Sequence, residues 1–297
     1  MKLKIYLTAI IMTAISALLL TACNNQNNVR VVSSGETPER IIATAPSIAE
    51  VLVGFGLADH LIAVEMHGAD IPGLNHEITA FMDFWTINAE EILMLNPDLV
   101  VVSQLNSPSA GDPYAIIRNA GIEVVYIDDP ISIYEIFEQI ELLGEVTARQ
   151  REAAVMIYEM ETTLRNVESR LSSVTEPRRV YFEISPAPGI FTFGNGTFLN
   201  ELLSRGGGIN VFEDQDGWFA PSEEFIILSD PDVIMTNVMH IENSVDEIKS
   251  RPGWWSISAI INEEVHLINT NYTSRHSQYV VRAVEQIAAA LYPELFR

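Results

Sequence analysis

The chain has 297 residues, of which 40 are acidic and 17 are basic, so its formal net charge is −23 at pH 7. This balance argues against nucleic acid as a partner, because a nucleic-acid-binding protein needs a basic face. An acidic surface favours solubility outside the cell, and the length suffices for two lobes that each have a hydrophobic core.

The first 22 residues are predicted to be a signal peptide for export. Lys2 and Lys4 form a short positive region, and the uncharged stretch Ile5–Leu20 follows it. This stretch is too short for a comfortable membrane span. It ends in Leu-Thr-Ala-Cys23, which resembles the bacterial lipobox, the motif at which a lipid is attached to the cysteine and the chain is cut before it.

Cys23 is the only cysteine in the sequence, so an internal disulfide is excluded. We expect Cys23 to carry a lipid that anchors the protein to the cell membrane; the alternative is a plain secreted protein with a stray thiol. Residues 23–37 are rich in Asn and Ser and have no apolar period, which predicts a flexible tether. The folded body is therefore expected to begin near Pro38.

Residues 38–146 are predicted to form an N-terminal lobe of the doubly wound α/β type. Its buried strands are expected at Arg40–Ala45, Leu61–Val64, Asp98–Ser103 and Glu123–Ile127. Amphipathic helices are expected between them. Strands this apolar, when helices separate them, are typical of a parallel sheet that is covered on both faces.

Residues 147–174 are predicted to form one long rigid helix that joins two lobes. Thr147-Ala-Arg-Gln150 matches a capping box, and apolar residues follow it at alternating spacings of four and three. A helix of roughly 25 residues would be nearly 40 Å long and would allow the lobes to rock only slightly. The alternative is that this segment is a core helix of a single domain.

Residues 175–297 are predicted to form a C-terminal lobe of the same doubly wound type. Its strands are expected at Arg179–Ile184, Ile190–Phe193, Asp232–Thr236 and Val265–Ile268. A final helix is expected from about Ser277 to Tyr292.

An internal repeat supports the division into two lobes. The segments Asn88–Val101 and Ser222–Met235 align without a gap, and each predicts a capped helix, a Pro-Asp turn and a buried strand. The identical positions are Glu90 with Glu224, Ile92 with Ile226, and Pro97-Asp98 with Pro231-Asp232. A chance echo within one large domain is the alternative.

No motif in the sequence singles out a catalytic group. An enzyme would need a positioned nucleophile, a carboxylate pair or a closed metal site, and the many acids form no such pattern. We therefore expect a protein that is not an enzyme. A hydrolase that uses two cleft carboxylates is a remote alternative, and a purely structural surface lipoprotein is another.

The segment Arg40–Glu50 resembles the opening strand and turn of the periplasmic binding proteins for vitamin B12, iron siderophores and haem. The likeness extends from about Pro38 to the closing Pro293–Phe296, and it is nearest to the cobalamin-binding members. It implies a monomeric, extracytoplasmic solute-binding subunit of an ABC importer, with permease and ATPase partners and no cofactor of its own. It also implies that cobalamin or a related corrinoid binds between the lobes, with a ferric siderophore or haem as the alternative ligand.

The resemblance assigns cleft positions to Trp85, Trp218 and Arg275. The sequence itself places an aromatic pair before each repeated helix, Phe84-Trp85 in the first copy and Trp218-Phe219 in the second. Two such pairs facing one cleft could stack on a large flat ring. The alternative is that each pair only packs against the first turn of its helix.

The chain departs from the cobalamin-binding pattern at three positions. Met66 and His67 stand where that group has a cleft tyrosine, and Tyr272 replaces an aromatic residue near Arg275. His67 and His240 are candidate axial ligands of a metal that the ligand carries, and Met66 is a candidate for haem. No resident metal is expected, and the other four histidines, His60, His76, His266 and His276, are interpreted as surface or structural residues.

Glu90 and Glu224 are the candidate permease-docking residues. The resemblance implies that such a pair, one acid per lobe, meets arginines of the permease. The alternative is that an acid in the first turn of each helix only complements the helix dipole.

Overall fold

The computed structural model describes residues 35–77, 79–84, 88–104 and 112–297. Cys23, the signal peptide, most of the tether and Trp85 lie outside the described residues, so the predictions made for them stay predictions. Within the described ranges, no helix has both the length and the apolar character needed to cross a lipid bilayer.

The first lobe is built on a five-stranded parallel sheet with the strand order β3-β2-β1-β4-β5. Its strands are β1 (Ile41–Ala43), β2 (Leu61–Glu65), β3 (Ala80–Met82), β4 (Leu99–Ser103) and β5 (Glu123–Ile127). Every residue of β1, β2 and β4 is buried, as a parallel sheet covered on both faces requires. The sequence did not predict β3, because this edge strand is largely exposed and gives no buried apolar run.

The second lobe has a four-stranded parallel sheet with the order β11-β10-β6-β8 and a separate antiparallel pair, β7 with β9. Its strands are β6 (Arg178–Glu183), β7 (Thr192–Phe193), β8 (Gly208–Asn210), β9 (Trp218–Phe219), β10 (Val233–Thr236) and β11 (Val265–Leu267). The two sheets confirm the predicted fold class of two α/β lobes with mainly parallel strands.

Helices are interspersed with the strands along the described chain. They are α1 (Pro46–Gly54), α2 (Ala89–Met94), α3 (Ala115–Asn119), α4 (Ile133–Val146), α5 (Gln150–Leu171), α6 (Phe198–Arg205), α7 (Glu223–Ser229), α8 (Ser244–Lys249), α9 (Ser258–Ile261), α10 (Thr270–Ser274) and α11 (Val280–Leu291).

The repeated segments form equivalent helices, α2 and α7. The side chain of Asn88 accepts backbone hydrogen bonds at the start of α2, and that of Ser222 accepts one at the start of α7. Ile92 and Ile226 are fully buried in the cores of their respective lobes. The same residue type therefore fills the same position in each lobe.

The Pro-Asp turns also play the same role in both lobes. The Asp98 carboxylate accepts a hydrogen bond from the backbone nitrogen of Arg40, directly before β1, and Asp232 accepts one from that of Arg179, in β6. Each carboxylate thus fixes the end of the repeated helix to the central strand of its own sheet.

Helix α5 joins the lobes, with 22 residues and a length of about 33 Å. It packs on α4 of the first lobe and on α6 and α11 of the second. The predicted capping box is wrong, because Thr147 ends α4 and its hydroxyl donates a hydrogen bond to the Leu143 carbonyl oxygen. Helix α5 begins at Gln150 without a side-chain cap.

Candidate functional site

Two adjoining cavities lie between the lobes, with volumes of about 760 and 450 Å³. Both are lined by residues that follow the carboxyl ends of parallel strands, the usual place for ligands in open α/β sheets. The residues that line both cavities come from the two lobes: Asp129, Pro130, Thr270, Asn271, Ser274 and His276. The cavities therefore form one candidate cleft.

The larger cavity has an apolar wall. Trp218 in β9 is 49% exposed there, and the exposed side chains of Ile131 and Met239 also line it. The Trp218 ring meets Phe193 edge to face at 6.0 Å, which orients its indole. Exposed apolar side chains gathered at one concave surface are typical of a ligand-binding site.

The smaller cavity combines an apolar surface with several polar groups. Thr44 and Ser103, which lie at the ends of β1 and β4, line it together with the acids Glu65, Asp128 and Asp129. It contains hydrogen-bonding groups that suit amides and hydroxyls and an excess of negative charge.

Among the described residues that line the two cavities, Arg275 is the only arginine or lysine. Its positive charge is already neutralised by two carboxylates. Its guanidinium donates to Glu50 Oε1 at 2.8 Å and to Asp70 Oδ1 at 2.6 Å. It also donates to the His67 carbonyl oxygen at 2.7 Å. The predicted ligand-binding arginine is thus directed at the first lobe, and it connects that lobe to the loop before α11.

Further contacts around this arginine tie the lobes together. Burial raises the pKa of Glu50, although the hydrogen bonds from Ser277 and Arg275 oppose that shift. Burial also tends to raise the pKa of Asp70, but hydrogen bonds from Arg275 and Asn271 outweigh it and lower the pKa. The amide of Gln278 donates to the Glu50 carbonyl oxygen at 2.9 Å. The loop 275–278 therefore fixes the second lobe against helix α1.

Of the predicted aromatic residues that the structure describes, Trp218 lines the cleft, whereas Phe84 and Phe219 lie in or beside the cores, which corrects the prediction for Phe84. Phe84 is 1% exposed and belongs to the core of the first lobe. Phe219 packs edge to face on Phe212 at 5.5 Å, next to the core of the second lobe. Adjacent residues of a strand point to opposite sides, so in β9 Phe219 points away from the side on which Trp218 meets the cleft.

Of the remaining predicted cleft residues, two line a cavity and two do not. His67 lines the smaller cavity, where its Nδ1 lies 2.8 Å from Glu65 Oε1, and His240 lines the larger one. Met66 is half exposed but does not line either cavity. Tyr272 packs against Tyr279, with ring centroids 6.1 Å apart, and does not line them either.

His276 is a cleft residue that the sequence reasoning missed. It lines both cavities, its ring meets Phe198 edge to face at 4.6 Å, and its Nδ1 lies 3.2 Å from Asp129 Oδ1 in the other lobe. Nothing in the sequence pattern pairs these distant positions, so no signal was available. Within the described ranges, no group of three or more His, Cys, Asp or Glu side chains is arranged to hold a metal ion.

The two acids of the repeat lie on the protein surface. Glu90 and Glu224 are both exposed, and within the described part of the chain neither carboxylate has a hydrogen-bond or ion-pair partner. Their neighbours have structural roles: Glu91 accepts from the Asn88 amide, and Glu223 accepts from the Trp254 indole.

The comparisons with known proteins agree with this architecture. The chain is 27% identical over 268 residues to YvrC of Bacillus subtilis, an uncharacterized ABC transporter substrate-binding lipoprotein, covering 90% of this chain and 84% of that protein. It is 28% identical over 255 residues to a vitamin B12-binding protein of Vibrio cholerae, covering 85% of this chain and 89% of that protein.

Solved structures are similar over nearly their whole length. The vitamin B12-binding protein of Vibrio cholerae superposes with a TM-score of 0.70 at 27% identity, covering 88% of this chain and 99% of that one. A possible iron-binding, periplasmic solute-binding protein of Staphylococcus epidermidis superposes with a TM-score of 0.74 at 25% identity, covering 86% of this chain and 100% of that one.

The family model for periplasmic binding proteins matches residues 41–272. The match begins at β1 and ends in α10, so it includes both sheets, the connecting helix and most of the residues that line the cleft. This chain therefore belongs to the periplasmic binding protein family.

Proposed function

We propose that this protein is the extracytoplasmic, lipid-anchored solute-binding subunit of an ABC importer, and that it captures cobalamin or a related corrinoid between its lobes. The lipoprotein relative from Bacillus subtilis supports the transporter class, and the similarity to the vitamin B12-binding protein supports the ligand class. The protein delivers its ligand unchanged and acts as a receptor, not as an enzyme.

The charge of the cleft is the observation that carries the ligand proposal. Its one arginine is neutralised by Glu50 and Asp70, so the described wall offers no free guanidinium or ammonium to an anion. The carboxylates of haem and an anionic ferric chelate both gain affinity from such a partner. A corrin ring with amide side chains needs an apolar platform such as Trp218 and hydrogen-bonding groups beside it.

Ligand titration tests this proposal. The purified protein is mixed with cyanocobalamin, haemin and a ferric catecholate, and binding is followed by the quenching of tryptophan fluorescence. We expect tight binding of cyanocobalamin, which chromatography then recovers unchanged. Tighter binding of haemin or of the ferric chelate would contradict the ligand assignment, and conversion of the ligand would contradict the receptor role.

A substitution at Trp218 tests the platform. Trp218→Ala is expected to weaken corrinoid binding by about 1 to 4 kcal/mol, as the loss of a central aromatic contact does. Trp255→Ala is the matched control, because this tryptophan is 76% exposed and does not line the cleft. Binding is measured by calorimetry, since both variants alter the fluorescence. Equal affinities of the two variants would contradict a role for Trp218.

The proposed importer needs a docking surface, and the repeat supplies one acid per lobe. Glu90→Gln combined with Glu224→Gln is expected to keep corrinoid affinity and thermal stability while uptake falls strongly, because charges at an interface steer and pair with the partner. Glu145→Gln with Glu213→Gln is the control, since these acids are also exposed, one in each lobe, outside the repeat. Normal uptake by the Glu90→Gln, Glu224→Gln variant would contradict the docking role. The two acids would then only interact with the dipoles of their helices.

The lipid anchor is tested separately at Cys23. Cys23→Ser is expected to remove metabolic lipid labelling and to release the protein from the membrane fraction, because the thiol is the proposed attachment point. Unchanged labelling would contradict the anchor without affecting the ligand proposal.

A further inference from the structure

The two repeated helices each leave one apolar side chain almost entirely in solvent. Met94 at the end of α2 is 78% exposed and Leu228 in α7 is 81% exposed. These are the two highest exposures of any large apolar side chain in the described ranges. The two residues also occupy the same position of the repeat, six residues after the capping Asn88 and Ser222.

The cores of the lobes do not account for these exposed side chains. Ile92 and Ile226 already fill the inward position of each helix and are completely buried. Met94 and Leu228 therefore stand on the outward face, where a polar residue would cost nothing in core packing. The same exposed apolar position in both lobes calls for a contact outside the chain.

Each exposed apolar side chain lies one helical turn from an exposed acid. Met94 follows Glu90 by four residues and Leu228 follows Glu224 by four, a spacing that places both members on one helix face. We call these two pairs the repeat patches. Each patch has one negative charge that lacks a partner among the described residues and one apolar contact point.

The acid of each repeat patch lies at the end of its helix that is nearer to the cleft. In both parallel sheets, α2 and α7 lead directly into strands β4 and β10, so each helix runs opposite to the strand that follows it. The start of each helix is therefore at the carboxyl ends of the strands, next to the cavities. In each patch the acid is therefore on the cleft side, and the apolar side chain lies one turn further along the outer face of the helix.

We infer that Met94 and Leu228 are apolar anchors that seat the protein on the permease, while Glu90 and Glu224 guide its approach. This inference rests on the proposed importer function. The partner is a membrane transporter with two equivalent sites, each of which offers a cation beside an apolar pocket. The acids complement the cations, and the duplication of the patch matches a partner that is itself two-fold symmetric.

The two kinds of residue make separable contributions to binding kinetics. Charges at the edge of an interface mainly change the association rate and its dependence on salt. Apolar side chains that become buried in the complex mainly change the dissociation rate. The anchors and the acids are therefore distinguishable in one experiment.

The test uses the full protein and the permease–ATPase complex that supports corrinoid uptake together with it, reconstituted in lipid nanodiscs. Met94→Ser combined with Leu228→Ser is expected to speed dissociation about tenfold or more, with an association rate within about threefold of the parent. Glu90→Gln combined with Glu224→Gln is expected to slow association and to flatten its dependence on salt. Each single serine variant should have a comparable share of the effect.

The control variant is Val155→Ser with Tyr158→Ser, because both side chains are exposed on α5, outside the patches. Corrinoid affinity is measured for every variant. A dissociation rate of the double serine variant equal to that of the control would overturn the inference while ligand binding and uptake still supported the proposed function. An effect at Met94 or Leu228 alone would overturn the paired anchoring. A parent protein that binds corrinoid but not the nanodisc complex would overturn docking altogether.

Discussion

Two buried arginines make similar bonds in different regions of this molecule. Arg251 lies inside the second lobe, where it donates to both oxygens of Glu183 at 2.6 and 2.7 Å and also bonds to Glu247. Arg275 donates to Glu50 and Asp70, and both of these partners belong to the first lobe. The first arginine therefore helps to hold one lobe together, whereas the second determines how the two lobes meet.

This difference separates stability from function. A bond whose partners lie in one lobe is lost only when that lobe unfolds, so its strength contributes to the free energy of unfolding. A bond between lobes can also break while both lobes stay folded, and the width of the cleft then changes. Substitutions at the two arginines should therefore have different consequences for ligand binding.

The largest effect is expected at Arg251. Arg251→Met leaves the Glu183 carboxylate, which is 1% exposed, without its main partner. We expect unfolding in urea to show a loss of about 3–5 kcal/mol, because an uncompensated buried charge is costly. Corrinoid affinity of the protein that stays folded should not change. The double variant Arg251→Met with Glu183→Met should regain much of the lost free energy of unfolding. If it does not, the loss comes from the contact of Arg251 with the Trp254 ring and not from the unpaired carboxylate.

A smaller loss of stability is expected at Arg275. Arg275→Met should cost about 1–3 kcal/mol, because Asp70 is already half exposed and regains water, while Glu50 keeps its bond to Ser277. Corrinoid affinity should fall as well, because the lobes lose their fixed separation. Urea unfolding and calorimetric titration measure the two effects.

Glu50→Gln separates lobe placement from direct ligand contact, since Glu50 does not line either cavity. A drop in affinity for this variant would support the role of the lobe contact. Unchanged affinity in Glu50→Gln together with a loss in Arg275→Met would instead show that the arginine touches the ligand.

The smallest effect concerns pH. Burial raises the pKa of Glu50 above its ordinary value of 4.5, so the folded state binds this proton more tightly than the unfolded chain does. The stability of the parent relative to Glu50→Gln should therefore fall as the pH rises from about 4.5 through the folded pKa, and then level off. One proton limits the slope to about 1.4 kcal/mol per pH unit.

The groups that act on Glu50 are Arg275, Asp70 and Ser277. The pKa of Asp70 is lowered, so its contribution to stability is lost at lower pH. This loss occurs both in the parent and in Glu50→Gln, and it therefore largely cancels from the difference between their stabilities. Urea unfolding of the parent and of Glu50→Gln across this pH range measures the effect. A difference that rises with pH would contradict the raised pKa of Glu50.

The fold was accessible from the sequence because its signals are local. The apolar runs of β1, β4 and β10 and the caps at Asn88 and Ser222 each depend on a few neighbouring residues. The exposed edge strand β3 and the true start of α5 escaped prediction, because the first has no apolar run and the second has no side-chain cap.

Two α/β lobes, a repeated capped helix with one acid in each copy, and a long helix between the lobes were all predictable from the amino-acid sequence. Three other features became visible only in the folded protein: Phe84 is a core residue, Arg275 is paired with Glu50 and Asp70, and His276 meets Asp129 at the cleft. The physical reason is distance along the chain. Hydrophobic period and capping act between near neighbours, whereas neutralising a charge or lining a cavity joins residues that only folding brings together.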